Sequence, residues 1–491
     1  TLAGLLEDHG YRVRSAGSQA EALRIIEAER FHVAVLDIRL DETDESNQEG
    51  LQLMHAIRKV DPSMAIIILT GYATVRAVQD ALQPNQDGQS PAYGFLEKSE
   101  INQLPVYVQR ALKHAVCINL NLRIEDPEQL LPRIAQKIAF VDGPKPSTEQ
   151  LLEECQDIFR KLFHDCEYIV LQAIQSGYSG AVVLEISPYY CERGQGEVLI
   201  AKIGEHARVE NEIIRYHSLV NGVVGSHRLP RSLQIKRTRW LSGILYTFAG
   251  LRPVRNFVIF YRESPLSSVL TVLENLYLET CFPWRSTSGS LVDSIDLRQI
   301  YYALLRMTDK KLVNGRDLLL GREHPFRKDP DNLGIRFVDE FLIADPVDFV
   351  LLHTEMNVRC YVSIIHGDLH GSNVLVDQHN DTWLIDFAQT DKGPVLYDYA
   401  SFESFLCIFM AQCNGHDQFY EWNRALFQAP NLCEAPLPAG LVGVSEIEKA
   451  HQSILKVRRL AFKQPEGDAE RTYLISLLFR ALSIQFGGIL P

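Results

Sequence analysis

Two unbroken apolar runs, HVAVLDI at residues 32–38 and AIIILTG at 65–71, constrain the first quarter of this chain more than any other feature. A strand that is apolar at every position suits a sheet covered on both faces, and such sheets are parallel and wrapped by helices. Helical patterns alternate with these runs: SQAEALRIIEAER with Ser18 as N-cap, GLQLMHAIRKV, ATVRAVQDAL and INQLPVYVQRALK, with further strands expected at YRVRSA and AYGFLEK. Residues 1–115 are therefore expected to be an α/β domain with a doubly wound parallel sheet.

Beyond it the pattern changes. In residues 116–150, Pro127, Pro132, Pro144 and Pro146 interrupt one short amphipathic stretch, which reads as a linker. Residues 151–250 read as a helix, several strands and one more helix, whereas 251–491 are dominated by helical periodicity. A small β-rich lobe followed by a larger helical lobe, an α+β arrangement, is the expectation.

Composition narrows the partners. The net charge of −13, from 49 basic and 62 acidic residues with no gathered basic patch, argues against nucleic acid. No apolar run reaches the roughly eighteen residues of a membrane span, and the start lacks the features of a signal peptide. Nine scattered cysteines, without CxxC pairs, read as reduced thiols of a cytoplasmic protein.

The chemistry-bearing segment is IIHGDLHGSNVLVD, residues 364–377, followed by WLIDFAQT at 383–390. Phosphoryl transfer needs a carboxylate near the acceptor hydroxyl and oxygen ligands that hold a metal on the nucleotide phosphates. Asp368 offers the first; Asn373, five residues on, and Asp386, thirteen further, offer the second. Strand-like VLV and WLI flank the last two, so a hairpin is expected to bring them to the same end.

This segment resembles the aminoglycoside phosphotransferase, choline kinase and fructosamine kinase superfamily, with its HGDLHxxN loop and a strand ending in IDF or IDW. The resemblance implies a kinase-like two-lobed fold, ATP and Mg2+ as cofactors, Asp368 facing the acceptor, and Asn373 and Asp386 on the metal. His366 reads as a structural residue of the loop, and Asp398 as the brace of the catalytic loop. Upstream, Gly177, Tyr178, Ser179 and Gly180 form a turn between YIVLQAI and VVLEIS that either covers phosphates or is a plain hairpin. Lys202, in VLIAKIG, stands where the family has its phosphate-binding lysine; a solvated edge lysine is the alternative. Its partner is expected among Glu210 and Glu212, with Glu212 preferred because its spacing to Tyr216 and Val220 resembles ExxxYxxxV of a bacterial group of predicted kinases. The backbone of Ala249 to Pro253 is the expected hinge at the adenine.

Residues 1–115 resemble the receiver domain of bacterial response regulators. Asp37, Thr70 and Lys98 close three successive strands at the positions of the phosphoacceptor, the hydroxyl switch and the phosphate-binding lysine, with Phe95 at the aromatic switch. The family's sheet order is 2-1-3-4-5, and here Thr1 already falls within the first helix, so the first strand and its acidic pair appear missing. The expectation is a fragment, or another segment filling that slot. The loop DETDESNQEG, the stretch PNQDGQS and Ser99 in place of the usual proline depart from the pattern. The combined expectation is a receiver-regulated ATP-dependent phosphotransferase with an upstream sensor histidine kinase and a homodimer through the receiver. An ATP-binding pseudokinase scaffold in a signalling or defence complex is the alternative.

Overall fold

The computed structural model describes residues 1–37, 49–71, 90, 92–140, 145–173, 182–221, 231–247, 254–321, 326–329, 334–337, 341–463 and 467–486. The chain divides into two units: Thr1–Ala173 with Ala181–Val209 and Ser232–Thr247, and Ile174–Gly180 with Glu210–Arg231 and Phe248–Pro491.

In the first unit, the strands Val33–Asp37, Ala65–Thr70 and Gly94–Glu97 form a parallel sheet in that order. Side chains of a strand alternate between faces, and both faces are covered. Leu36, Ile66 and Ile68 pack with Ile26, Leu51, Met54 and Ile57 of the helices Gln19–Ala28 and Glu49–Val60. Ile67, Leu69 and Leu96 pack with Leu6, Leu104 and Val108 of the helices Leu2–Glu7 and Leu104–Ala111. Ser18 caps its helix as expected, accepting from the amide of Glu21 at 3.2 Å. The segment YRVRSA, residues 11–16, is not a strand. Among the described residues the sheet therefore has three strands where four were expected.

A second, antiparallel-rich sheet follows, with Arg123–Glu125, Tyr168–Ala173, Val182–Tyr190, Leu199–Glu205, Leu241–Thr247 and Ser232–Arg237 side by side. The stretch 116–150, expected as a linker, contributes to this lobe: Arg123–Glu125 pairs in parallel with Tyr168–Ala173, and the helix Leu130–Lys137 buries Leu130, Leu131, Ile134 and Ala135. Pro132 was misleading because it lies in the first turn of that helix, where a missing N–H costs nothing. Asp126 caps the same turn, its carboxylate accepting from the amides of Leu130 and Leu131 at 2.7 and 2.8 Å.

The helix Thr148–Leu162 opens with a capping box between Ser147 and Gln150 and lays Leu151, Cys155, Ile158, Phe159 and Leu162 against the sheet. Its polar residues are buried too. Glu154 and Asp157 pair with Arg30, Asp157 also meets His32, and Lys161 donates to the carbonyl of Arg237 at 2.7 Å. Arg239 reaches back to the carbonyl of Ile26 at 2.7 Å. Burial pushes the Lys161 ammonium down to about 8.

The second unit contains more strand than helical periodicity indicated. Ser290–Asp296, Asn357–Ile365 and Asp391–Pro394 form one antiparallel sheet, and Arg255–Asn256, Val374–Val376 and Thr382–Leu384 form another. Around them pack the helices Leu396–Phe405, Ser445–Ala461 and Ala469–Phe486. Arg458, fully buried, pairs with Glu403 at 2.6 Å, and the Tyr473 hydroxyl donates to the same carboxylate at 2.6 Å. Such a pair is tolerated in a core because its hydrogen bonds are satisfied.

Candidate active site

The strand Asn357–Ile365 runs straight into the loop that carries His366 and Asp368. Gly367 makes the bend with φ at 80°, and a Cβ there would lie 2.2 Å from the carbonyl oxygen of Gln389, so only glycine fits. Asp398, in the first turn of the helix Leu396–Phe405, accepts from the amides of His366 and Gly367 at 2.8 and 3.0 Å. That is the bracing role the resemblance implies. Burial raises the Asp398 carboxyl above its ordinary range, with His366 and the two amides acting against it. His366 is buried and held at Nε2 by the carbonyl of Ile385 at 3.0 Å, and burial lowers its pKa, which favours a neutral structural ring.

The expected hairpin forms. Val374–Val376 pairs with Thr382–Leu384, and the amide of Ile385 donates to the carbonyl of Asn373 at 3.1 Å, so Asn373 and Asp386 emerge at the same end. Asn373 Nδ2 donates to the backbone carbonyl of Asp368 at 3.0 Å, which ties that end to the loop. Asp386 has φ at 70°, a left-handed conformation that a non-glycine residue adopts at some cost and that recurs at functional sites. Glu212, fully buried, accepts at Oε1 from the amide of Phe387 at 3.3 Å, beside Asp386. The expected site residues Asp368, Asn373, Asp386 and Glu212 are thus linked through the loop, the hairpin and its continuation.

Sequence reasoning missed Arg480. Its Nη2 donates to Asp368 Oδ1 at 2.8 Å, while His370 Nε2 lies 3.6 Å from Oδ2. Burial opposes ionisation of Asp368, but the Arg480 guanidinium and then His370 hold its pKa well below the usual carboxylate range. No local motif marks Arg480, which lies 112 residues along the chain in the largely buried helix Ala469–Phe486.

Lys202 belongs to the first unit. It sits on Leu199–Glu205, an interior strand between Val182–Tyr190 and Leu241–Thr247, and is 4% exposed, so the edge-lysine alternative is ruled out. The turn Gly177, Tyr178, Ser179 and Gly180 and the hinge at Ala249 to Pro253 lie outside the described residues.

In the same unit, Lys98 Nζ approaches Asp37 Oδ2 at 2.6 Å at the C-terminal end of the parallel sheet. The register pairs Asp37 with Leu69 and Thr70 with Glu97, so Asp37, Thr70 and Lys98 share that end. Phe95 is half-buried against the core of this sheet. The loop 38–48 lies outside the described residues.

Residues 1–104 match the family described as response regulator receiver domain, and residues 299–484 match the one described as ternary complex associated domain 9. Transcriptional regulatory protein GlrR of Escherichia coli is 39% identical over 98 residues, which is 20% of this chain and 20% of GlrR. Nitrogen assimilation regulatory protein NtrX of Azorhizobium caulinodans is 30% identical over 163 residues, 31% of this chain and 33% of NtrX. The chain thus spans between a fifth and a third of the length of these curated relatives. Among solved structures, the receiver domain of NtrX from Brucella abortus is 29% identical, with 23% of this chain and 88% of that one covered and a TM-score of 0.20. An aminoglycoside-3'-phosphotransferase of type VIII is 16% identical, with 68% and 98% covered and a TM-score of 0.36. Residues 1–104 form a response-regulator receiver domain, fused in one chain to a region that resembles the aminoglycoside phosphotransferases in its loop 366–373 and in the hairpin that ends at Asp386.

Proposed function

We propose that this chain is a receiver-regulated phosphotransferase that moves the γ-phosphate of ATP onto a hydroxyl of a small molecule or protein. The observation that carries the reading is the braced loop of Asp368 tied through Asn373 to the hairpin end at Asp386. Asp368 orients the acceptor hydroxyl. The Asn373 side-chain oxygen and the Asp386 carboxylate are hard oxygen donors at one hairpin end, a set that fits Mg2+, which takes few protein ligands and completes its shell with phosphates and water. Bound there, the ion supplies charge neutralisation on the nucleotide phosphates. Lys202 is assigned to a phosphate, Glu212 to the same nucleotide site, and the turn Gly177 to Gly180 to covering the nucleotide. Some of the solved phosphotransferases similar to this chain are recorded with nucleotides, among them a hygromycin B complex with ADP.

The receiver half of the reading takes Asp37 as phosphoacceptor, with Thr70 and Lys98 as its switch partners. The strands Val33–Asp37, Ala65–Thr70 and Gly94–Glu97 are then the third, fourth and fifth of the order 2-1-3-4-5. A sensor histidine kinase as phosphodonor, a homodimer through the receiver and a cytoplasmic location belong to the same proposal. Among the described residues no helix is long and apolar enough to cross a membrane.

Incubation with ATP and Mg2+ tests the reading. ADP or a phosphorylated product is expected from the native chain, and Asp368→Ala is expected to abolish it while nucleotide still binds; full activity in that variant refutes the mechanism. A second reading, an ATP-binding scaffold without transfer, is favoured by the match of residues 299–484 to a ternary complex associated domain. It predicts a thermal shift with ATP and no ADP.

A further inference from the structure

We propose that Arg480 is the positioning residue of Asp368: it grips one carboxylate oxygen and so aims the other at the acceptor hydroxyl. This rests on the phosphotransferase reading of the Asp368 loop. The argument starts from rigidity. Arg480 projects from the helix Ala469–Phe486, whose Phe479 and Leu482 are buried with Tyr301 and Tyr397. The same helix is hydrogen-bonded on two sides, by Tyr301 to Ser476 at 2.6 Å and by Tyr473 to Glu403 at 2.6 Å. A guanidinium on such a support loses little freedom when it binds a carboxylate, and a charge-assisted bond at 2.8 Å fixes the carboxylate in turn.

The grip is one-sided. Arg480 Nη2 takes Oδ1, whereas Oδ2 faces His370 Nε2 at a looser 3.6 Å. The backbone of Asp368 is held separately by Asn373 Nδ2 at 3.0 Å. With main chain and Oδ1 both fixed, Oδ2 is the oxygen that remains for an acceptor. The side chain of Asp368 is 22% exposed and that of Arg480 only 11%, so the carboxylate, not the guanidinium, is the group presented. Phosphoryl transfer asks mostly for position, and an error of about 1 Å in a reacting group costs on the order of a hundredfold in rate. Arg480 therefore acts through Asp368, without touching the substrate itself.

Three proteins decide it: the full chain, Arg480→Gln and Arg480→Lys, each measured for thermal unfolding, ATP affinity and the rate of ADP formation. Arg480→Gln is expected to lower kcat about a hundredfold with KM for ATP within about twofold. Arg480→Lys, which keeps the charge but loses the fork, is expected to recover about tenfold of that loss. If Arg480→Gln does not fold, Arg480→Lys alone still decides: native melting with kcat reduced roughly tenfold supports positioning, and native kcat overturns it. A folded Arg480→Gln with native kcat, or a loss that follows melting temperature and is not restored by lysine, also overturns it while leaving the phosphotransferase standing. Absence of ADP formation by the native chain overturns the phosphotransferase reading and this inference together.

Discussion

Arg30 and Asp157 form a buried ion pair across 127 residues of sequence and join the receiver to the long helix of the neighbouring β lobe. Asp157 also meets His32 and accepts from Arg160 Nη1 at 3.0 Å, and Glu154 lies 3.4 Å from Arg30 Nε. The receiver is therefore docked on the lobe by charge within one unit.

Asp157 is shared by Arg30, His32 and Arg160, and hydrogen bonds to a charged group are worth about 1.5–3 kcal/mol. Asp157→Ala leaves Arg30 with Glu154 alone and is expected to lose about 2 kcal/mol in urea unfolding. The receiver helices should also gain hydrogen exchange relative to the native chain.

The same interface carries a pH dependence. Burial first, then the Arg30, Lys161 and Arg160 cations, push the His32 imidazole from its usual 6.5 down to about 3, so the folded chain holds it neutral. The unfolded chain protonates His32 below about pH 6.5, and stability from this group is full above that value and falls as pH drops toward about 3. His32→Gln is expected to lose less stability than the native chain over that window, measured by denaturant unfolding at fixed ionic strength. Equal losses in both proteins would refute the assignment.

Gly367 offers a stability test that is also a functional one. A methyl group there meets the Gln389 carbonyl at 2.2 Å in a backbone conformation that disfavours side chains. Gly367→Ala is expected to cost about 3 kcal/mol and to displace the two amides that Asp398 holds, so ADP formation falls even at temperatures where the protein stays folded.

At the receiver, Lys98 already stands 2.6 Å from Asp37, as a cation must to neutralise an aspartyl phosphate. A small phosphodonor such as acetyl phosphate with Mg2+ is expected to label the native chain and not Asp37→Asn, read by intact mass. Labelling that persists in Asp37→Asn places the acceptor elsewhere.

Local chemistry accounts for what was readable in the residues. The runs at 33–37 and 65–70 declared parallel strands by having no polar alternation, and the loop 366–373 declared its carboxylate through its residue types and its resemblance to the HGDLHxxN loop. The hairpin between Asn373 and Asp386 followed from two short apolar runs about a turn. Each of these depends on residues within a dozen or so of one another.

What lay beyond that range took the folded chain to settle. YRVRSA has the composition of a strand but forms none, because a strand exists only with a neighbour to bond. The prolines of 116–150 looked like breaks, yet one of them lies in the first turn of a helix, and the strand before that helix pairs with one more than forty residues away. Arg480 and Arg30 were invisible as interacting residues, since an arginine on a helix or loop is ordinary until its carboxylate arrives from 112 or 127 residues off. Sequence determined the apolar parallel strands, the hairpin between Asn373 and Asp386 and the polar residues of the loop, which short-range patterns dictate. Tertiary structure decided the ion pairs and the sheet edges, which depend on who packs against whom.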